Sequence, residues 1–249
     1  MSRLAPGPLR WIREAAEGDG DREAEMVARW QAGEPLQYVL GQWAFRNQEL
    51  TVDRRALIPR PETEWLVEVV LGLAGVVRRA VDLGTGTGAI ALSLADAYSE
   101  AEVFAVEHSD ESRALAEQNL AETGVKVLAG SWFEPLPAET KAGFDLIVSN
   151  PPYVSDAEWA ELEPVVRDWE PRFALVAGPS GRECLELIVD ESPHWLAPGG
   201  LLALEGAPHQ MATIARRCEA AGLDDVSIHL DLAGRERVVT ARRSGPARS

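Results

Sequence analysis

Residues 80–88 read Ala80-Val81-Asp82-Leu83-Gly84-Thr85-Gly86-Thr87-Gly88. The apolar start has the composition of a short buried strand, and residues 88–97 follow with a helical pattern. The glycines between them let the backbone come close to a ligand, because glycine has no Cβ. A strand, a glycine turn and a helix open a nucleotide-binding βαβ unit. The next strand, Val103-Phe104-Ala105-Val106, ends at Glu107, where a carboxylate is placed to accept ribose hydroxyls.

The alternation extends along the chain. A helix over 110–122 leads to strand Val125-Lys126-Val127-Leu128, and a further strand lies at 144–148. Helix 182–195 carries Leu185, Ile188, Val189 and Trp195 on one face. Pro198-Gly199-Gly200 reads as a turn into strand Leu201-Leu202-Ala203-Leu204, then comes helix 209–221 and strands near 225–230 and 236–241. This pattern predicts an α/β fold with a mainly parallel sheet covered on both faces. Asp231-Leu232-Ala233-Gly234 is too short for a parallel crossover, so the last strand is expected to run antiparallel.

Upstream, residues 1–33 predict two short helices around the polar break Gly18-Asp19-Gly20-Asp21. Residues 34–60 form a linker with a β-hairpin centred on Arg46-Asn47-Gln48. Leu57-Ile58-Pro59-Arg60-Pro61-Glu62-Thr63-Glu64 opens a helix: Pro61 suits its first turn, and Glu62 and Glu64 complement the helix dipole. The same loop also reads as a lid or ligand contact. The main domain runs over 61–243, and 244–249 reads as a disordered tail.

A second stretch, Ser149-Asn150-Pro151-Pro152-Tyr153, follows the apolar run at 144–148. It sits where a strand leaves the sheet, which is where open α/β sheets bind ligands. The two prolines make a stiff turn. It suits the gripping of a planar group bearing NH₂: Asn150 Oδ1 and the Pro151 carbonyl accept one hydrogen each, and Tyr153 lies against the flat face. A strand-ending turn without chemistry is the plain alternative. No side chain in this motif titrates near neutrality, so a flat rate profile between about pH 6.5 and 8.5 is expected.

Net charge is −16, which weighs against direct nucleic-acid binding. Hydrophobic residues make up 46% of the 249, yet no run is long enough to span a membrane and the start lacks an apolar signal core; a cytoplasmic protein is expected. Cys184 and Cys218 fit no metal or redox spacing, so no metal site is expected and both read as buried thiols.

Gly84, Gly86 and Ala89 also fit the dinucleotide fingerprint, so NAD competes with S-adenosylmethionine as cofactor. Two features favour S-adenosylmethionine. Asp82 precedes the glycines, within reach of a cationic group, and the amide-gripping turn suits an amino group awaiting methylation. A hydride site wants a proton donor, and of the four histidines only His108 lies near a strand end, where it reads as a solvated turn residue. Trp132, in Ser131-Trp132-Phe133, can lie against an adenine or serve as an ordinary core aromatic.

Together these segments resemble the release-factor glutamine methyltransferase family. The resemblance rests on GEPLQYVLG (33–41), LIPRPETE (57–64), DLGTGTGAIALSLA (82–95), FDLIVSNPPYV (144–154), Glu170-Pro171 with Ala174-Leu175, LAPGG (196–200) and DLAGRERVV (231–239). It implies a seven-stranded, Rossmann-like, S-adenosylmethionine-dependent methyltransferase domain behind a short N-terminal helical substrate-recognition segment and a hairpin. It implies methyl transfer to the side-chain nitrogen of the glutamine in a Gly-Gly-Gln loop of peptide-chain release factors; a monomer is expected. Gly84, Thr85, Gly86, Thr87, Gly88, Glu107, Trp132 and Asn150 would hold the cofactor. Asn150, Pro151, Pro152 and Tyr153 would hold the glutamine, with Asn150, Pro151 and Tyr153 catalytic. Three features depart from the family pattern: a shorter segment before residue 33, Ser131 where an aspartate is common, and Glu205-Gly206-Ala207 in place of Glu-Ile-Gly. The alternatives are an adenine-amino nucleic-acid methyltransferase and a cofactor-binding scaffold without turnover.

Overall fold

A computed structural model describes residues 7–245; residues 1–6, and the expected tail from 246 on, lie outside the described residues. Helices α1 (Pro8–Ala15) and α2 (Gly20–Gln31) flank the predicted polar break. Asp19 caps α2, its carboxylate accepting the N–H groups of Asp21 and Arg22 at 3.0 and 3.1 Å. Ile12, Ala16 and Met26 close on Val39 of α3 (Leu36–Leu40), a short helix that the sequence reading did not place. Gly41 ends it at φ 76°, a left-handed turn that favours glycine. The Tyr38 hydroxyl donates to the Ala56 carbonyl at 2.7 Å, tying this helical piece to the loop that follows.

Strands β1 (Gln42–Phe45) and β2 (Gln48–Thr51) form the expected hairpin, with Phe45 opposite Gln48. It does more than link: Phe45, Leu50 and Val52 are fully buried under α4 (Pro61–Leu73) and share its core. The main body then runs β3 (Arg79–Leu83), α5 (Ala89–Ala97), β4 (Glu102–Glu107), α6 (Asp110–Asn119), β5 (Lys126–Ala129) and β6 (Phe144–Ser149). An excursion holds β7 (Val154–Ser155), α7 (Asp156–Trp159), α8 (Pro164–Arg167) and β8 (Val176–Gly178). The chain closes with α9 (Glu183–Trp195), β9 (Leu196–Glu205), α10 (Pro208–Ala220), β10 (Leu223–Leu230) and β11 (Glu236–Arg243).

The seven-stranded sheet has the order β10-β11-β9-β6-β3-β4-β5. β11 is antiparallel to both its neighbours, as the short preceding loop requires. Period-two alternation divides the core. Val81, Leu83, Phe104 and Val106 face α9 and α10, while Ala80 and Val103 face α4 and α5. One expectation fails locally. Pro198-Gly199-Gly200 is a bulge inside β9 rather than a turn before it: Phe144 pairs with Leu196, but Leu146 pairs with Leu201. A Cβ on Gly200 would stand 2.7 Å from the Phe144 carbonyl, so only glycine fits there.

The crossovers leave β3 in one direction toward β4 and reach β6 on its other side. That reversal opens a crevice at the carboxyl ends of β3 and β6. Asp82 pairs with Val148, which brings the glycine turn after β3 level with Asn150 after β6.

Candidate active site

Both motifs border one cavity of about 280 Å³. Gly84, Thr85, Gly86, Thr87, Glu107 and Trp132 line it from the β3–β4 side, and Asn150 and Pro152 from the end of β6. The loop at 56–60 and Thr63 line it, and the expected helix start follows at Pro61.

The glycine turn is built by backbone bonds. The N–H groups of Gly84 and Thr85 donate to the Val106 carbonyl at 2.9 and 3.0 Å, and the Ser149 hydroxyl donates to the Leu83 carbonyl at 2.6 Å. Gly86 has φ 55° and nothing within 4 Å of a would-be Cβ, so its backbone lies open to a ligand. Glu107 Oε2 accepts the Gly86 N–H and Oε1 the Ser109 N–H, both at 2.9 Å. These two bonds aim a nearly buried carboxylate at the cavity and leave lone pairs on each oxygen. The Trp132 ring comes within 3.5 Å of a Cβ placed on Gly84, giving the site a flat aromatic wall. A diol acceptor, a flat wall and an open glycine backbone fit a nucleoside.

Several expectations need correction. Asp82 does not reach into the cavity. It is fully buried, and its Oδ2 accepts the Thr85 hydroxyl at 2.5 Å and the Ala91 N–H at 3.2 Å, while Oδ1 has no partner. Burial pushes its carboxyl up to about 7, against the lowering effect of those two bonds. Gly88 lies behind the cavity as the N-cap of α5, at φ 86°, with Leu120 3.1 Å from a would-be Cβ. Pro151 is buried and does not line the cavity. Tyr153 packs against the core below α9 and α10 instead of lying over the cavity. Its hydroxyl donates to Glu205 Oε1 at 3.4 Å, and burial raises its pKa. Cys184, read as a core thiol, lines the cavity half-buried, whereas Cys218 is buried as expected. His108 also lines the cavity, where its Nδ1 lies 3.1 Å from Ser131 Oγ.

Three positions beside the cavity were given no role from the sequence. Thr63, in the first turn of α4, bonds to Asn150: the amide Nδ2 donates to Thr63 Oγ1 at 2.9 Å. Thr63 Oγ1 in turn donates to Glu205 Oε2 at 2.8 Å. Glu205 ends β9 beside Asn150, since Ser149 pairs with Leu204, and its carboxyl is fully buried. Burial pushes it up to about 7, opposed by the Thr63 hydrogen bond and the charge of Arg237. This places a carboxyl raised by burial outside the Asn-Pro-Pro motif but two hydrogen bonds from Asn150. The third, Glu170, comes from the excursion: it accepts the Ile58 N–H at 3.2 Å and the Arg60 guanidinium at 2.5 Å, clamping the cavity loop. An acid ending an apolar strand, as at Glu107, is the signal that marks Glu205.

Residues 62–163 match the family model described as Methyltransferase small domain. The chain is 42% identical over 241 residues to the release factor glutamine methyltransferase of Deinococcus radiodurans, covering 94% of this chain and 84% of that one. It is 41% identical to the protein of that name from Salmonella typhimurium, over 88% of this chain and 79% of that one. Among solved structures, a methyltransferase from Pyrococcus furiosus superposes with a TM-score of 0.60 at 18% identity, covering 90% of this chain and 98% of that chain, which shows the shared fold. Sequence identity at this level over nearly the whole chain, on a methyltransferase fold with one cavity joining the glycine turn to the Asn-Pro-Pro turn, places the chain in the release factor glutamine methyltransferase family.

Proposed function

We propose that the chain transfers a methyl group from S-adenosylmethionine to the side-chain nitrogen of the glutamine in the Gly-Gly-Gln loop of peptide-chain release factors. One observation carries the reading: Asn150 borders the same cavity as the glycine turn and Glu107. The nucleoside-like fit of Glu107, Gly86 and Trp132 supports S-adenosylmethionine there. When bound, it supplies a methyl group already activated by a sulfonium.

The protein's own task is then to position a weak nucleophile, since the amide nitrogen shares its lone pair with the carbonyl. Asn150 Oδ1, at the cavity wall, accepts an amide hydrogen. This acceptor strengthens as the nitrogen becomes cationic, so it acts more on the transition state than on the ground state. Holding the nitrogen in line with the methyl removes an entropic barrier that reaches about 7–11 kcal/mol in well-oriented systems. Tyr153 supports Glu205 from below rather than stacking on the substrate.

The N-terminal helices, joined to the cavity loop through Tyr38 and Ala56, form the surface that docks the release factor. A protein that modifies the translation apparatus works in the cytoplasm; among the described residues no helix is long and apolar enough to cross a membrane. The acidic chain acts as a monomer without gripping nucleic acid itself. Labelled S-adenosylmethionine with a purified release factor, run beside its loop Gln→Ala variant, tests the reading. Label on the unmodified factor alone is expected, and equal label on both would refute the target atom.

A further inference from the structure

We propose that Thr63 and Glu205 are positioning residues that set which end of the Asn150 amide faces the substrate. The inference rests on the reading that Asn150 holds the substrate amide. The Asn150 side chain can sit in two orientations related by a half-turn, with similar shape and opposite polarity. With Oδ1 toward the cavity it accepts a substrate N–H. With Nδ2 toward the cavity, two donors meet and the substrate NH₂ is repelled.

Hydrogen-bond counting decides between them. An ionised carboxylate only accepts, so Glu205 Oε2 takes the single hydrogen of the Thr63 hydroxyl at 2.8 Å. Thr63 Oγ1 then has only lone pairs left for Asn150, and the atom it faces at 2.9 Å has to be the donor, Nδ2. The oxygen is left for the cavity. Tyr153 engages the other carboxylate oxygen at 3.4 Å. A protonated Glu205 removes this direction, because it can donate to Thr63, whose hydroxyl hydrogen then turns to Asn150 and donates to Oδ1 of the flipped amide.

The charged and titratable groups facing Glu205 do not substitute for the chain. Arg237, on β11, donates from Nη1 to the Gly206 carbonyl at 3.1 Å, and its Nε, 3.8 Å from Asp231 Oδ2, has no hydrogen-bond partner among the described residues. Glu62, on α4, is paired with Arg235 at 3.0 Å, and Tyr153 stays neutral because burial raises its pKa. Burial holds Glu205 near 7, so the polarity of the chain changes across neutrality: methyl transfer falls as pH drops below about 7 and levels off above it. The flat profile expected from the sequence predicts no such fall, so the pH dependence separates the two.

The test is single-turnover methyl transfer from saturating labelled S-adenosylmethionine to a purified release factor, from pH 5.5 to 9, with thermal unfolding as a control. Thr63→Val keeps the shape and removes the hydroxyl. It is expected to slow transfer about tenfold or more, the scale of one lost buried hydrogen bond, with cofactor Kd unchanged. Thr63→Ser restores the rate. Glu205→Gln is expected to lose the acid limb and to be slow throughout, which separates Glu205 from the equally raised Asp82. Full activity in Thr63→Val beside an inactive Asn150→Ala would overturn the relay and leave the proposed function standing. Full activity in Asn150→Ala would overturn both. If Thr63→Val does not fold, an acid limb that persists in Glu205→Gln overturns the relay alone.

Discussion

Glu205→Gln should make the protein more stable at alkaline pH, and the gain can be worked from the site. The carboxyl is fully buried and hydrogen-bonded to Thr63, with no direct bond to Arg237. It is held at about 7 against an ordinary 4.5. Below pH 4.5 both the native and unfolded chains carry the proton, and stability is at its full value. Between 4.5 and 7 the unfolded chain has released a proton that the native chain keeps, so stability falls as pH rises. Above 7 both are ionised and the fall stops. That window corresponds to about 3 kcal/mol. Gln has a similar shape, can donate to Thr63 Oγ1 through its amide nitrogen as a protonated Glu205 would, and carries no charge. Asp82, raised in the same direction, contributes equally to both proteins and cancels in the difference. Urea unfolding at pH 5, 6, 7 and 8, followed by tryptophan fluorescence, gives the comparison. The unmodified protein should lose about 2–3 kcal/mol more than the variant between pH 5 and 8. Parallel pH dependences would refute the claim that Glu205 sits ionised in a dry site.

Three further outcomes follow from the geometry. Asn150→Ala should lower the single-turnover rate by about 100-fold or more while calorimetry finds cofactor binding within a few-fold, because the loss falls on the amide contact. Glu170→Ala frees the Ile58 N–H and leaves Arg60 without its partner; about 3 kcal/mol of stability should be lost in urea titrations, with cofactor affinity falling as the loop opens. Gly88→Ala combines left-handed strain with a 3.1 Å contact to Leu120 and should cost about 2 kcal/mol in thermal unfolding, whereas Gly86→Ala, equally left-handed but with open space beside it, should cost about 1 kcal/mol and also weaken cofactor binding.

The alternation of strands and helices was legible because each strand from β3 to β6 is an apolar run bounded by turn residues. The glycine turn and the Asn-Pro-Pro turn were legible because glycine and proline restrict the backbone locally. Helix α3 was not: five residues between Pro35 and Gly41 carry too little periodicity, and tertiary contact with Ile12 and Met26 holds them helical. The bulge in β9 was misread because proline and two glycines usually end a strand, while here the Phe144 carbonyl requires a residue without a side chain. Tyr153 was aimed at the substrate because a motif gives order along the chain and not side-chain direction. The polar chain from Glu205 to Asn150 joins residues 142 and 87 positions apart, and no local pattern encodes such a pairing.

Those separations also bear on the order in which the protein matures. The nucleoside side of the cavity, from Gly84 to Trp132, is drawn from one contiguous stretch and closes through short loops. The amide side needs α4, β6 and β9 together, and β9 is made late in synthesis. Long-range contacts of this kind form slowly because the entropy of closing large loops precedes any gain from the contact. A nascent or partly folded chain is therefore expected to form the proposed nucleoside side of the cavity before the amide side, so that methyl transfer would depend on completion of the sheet.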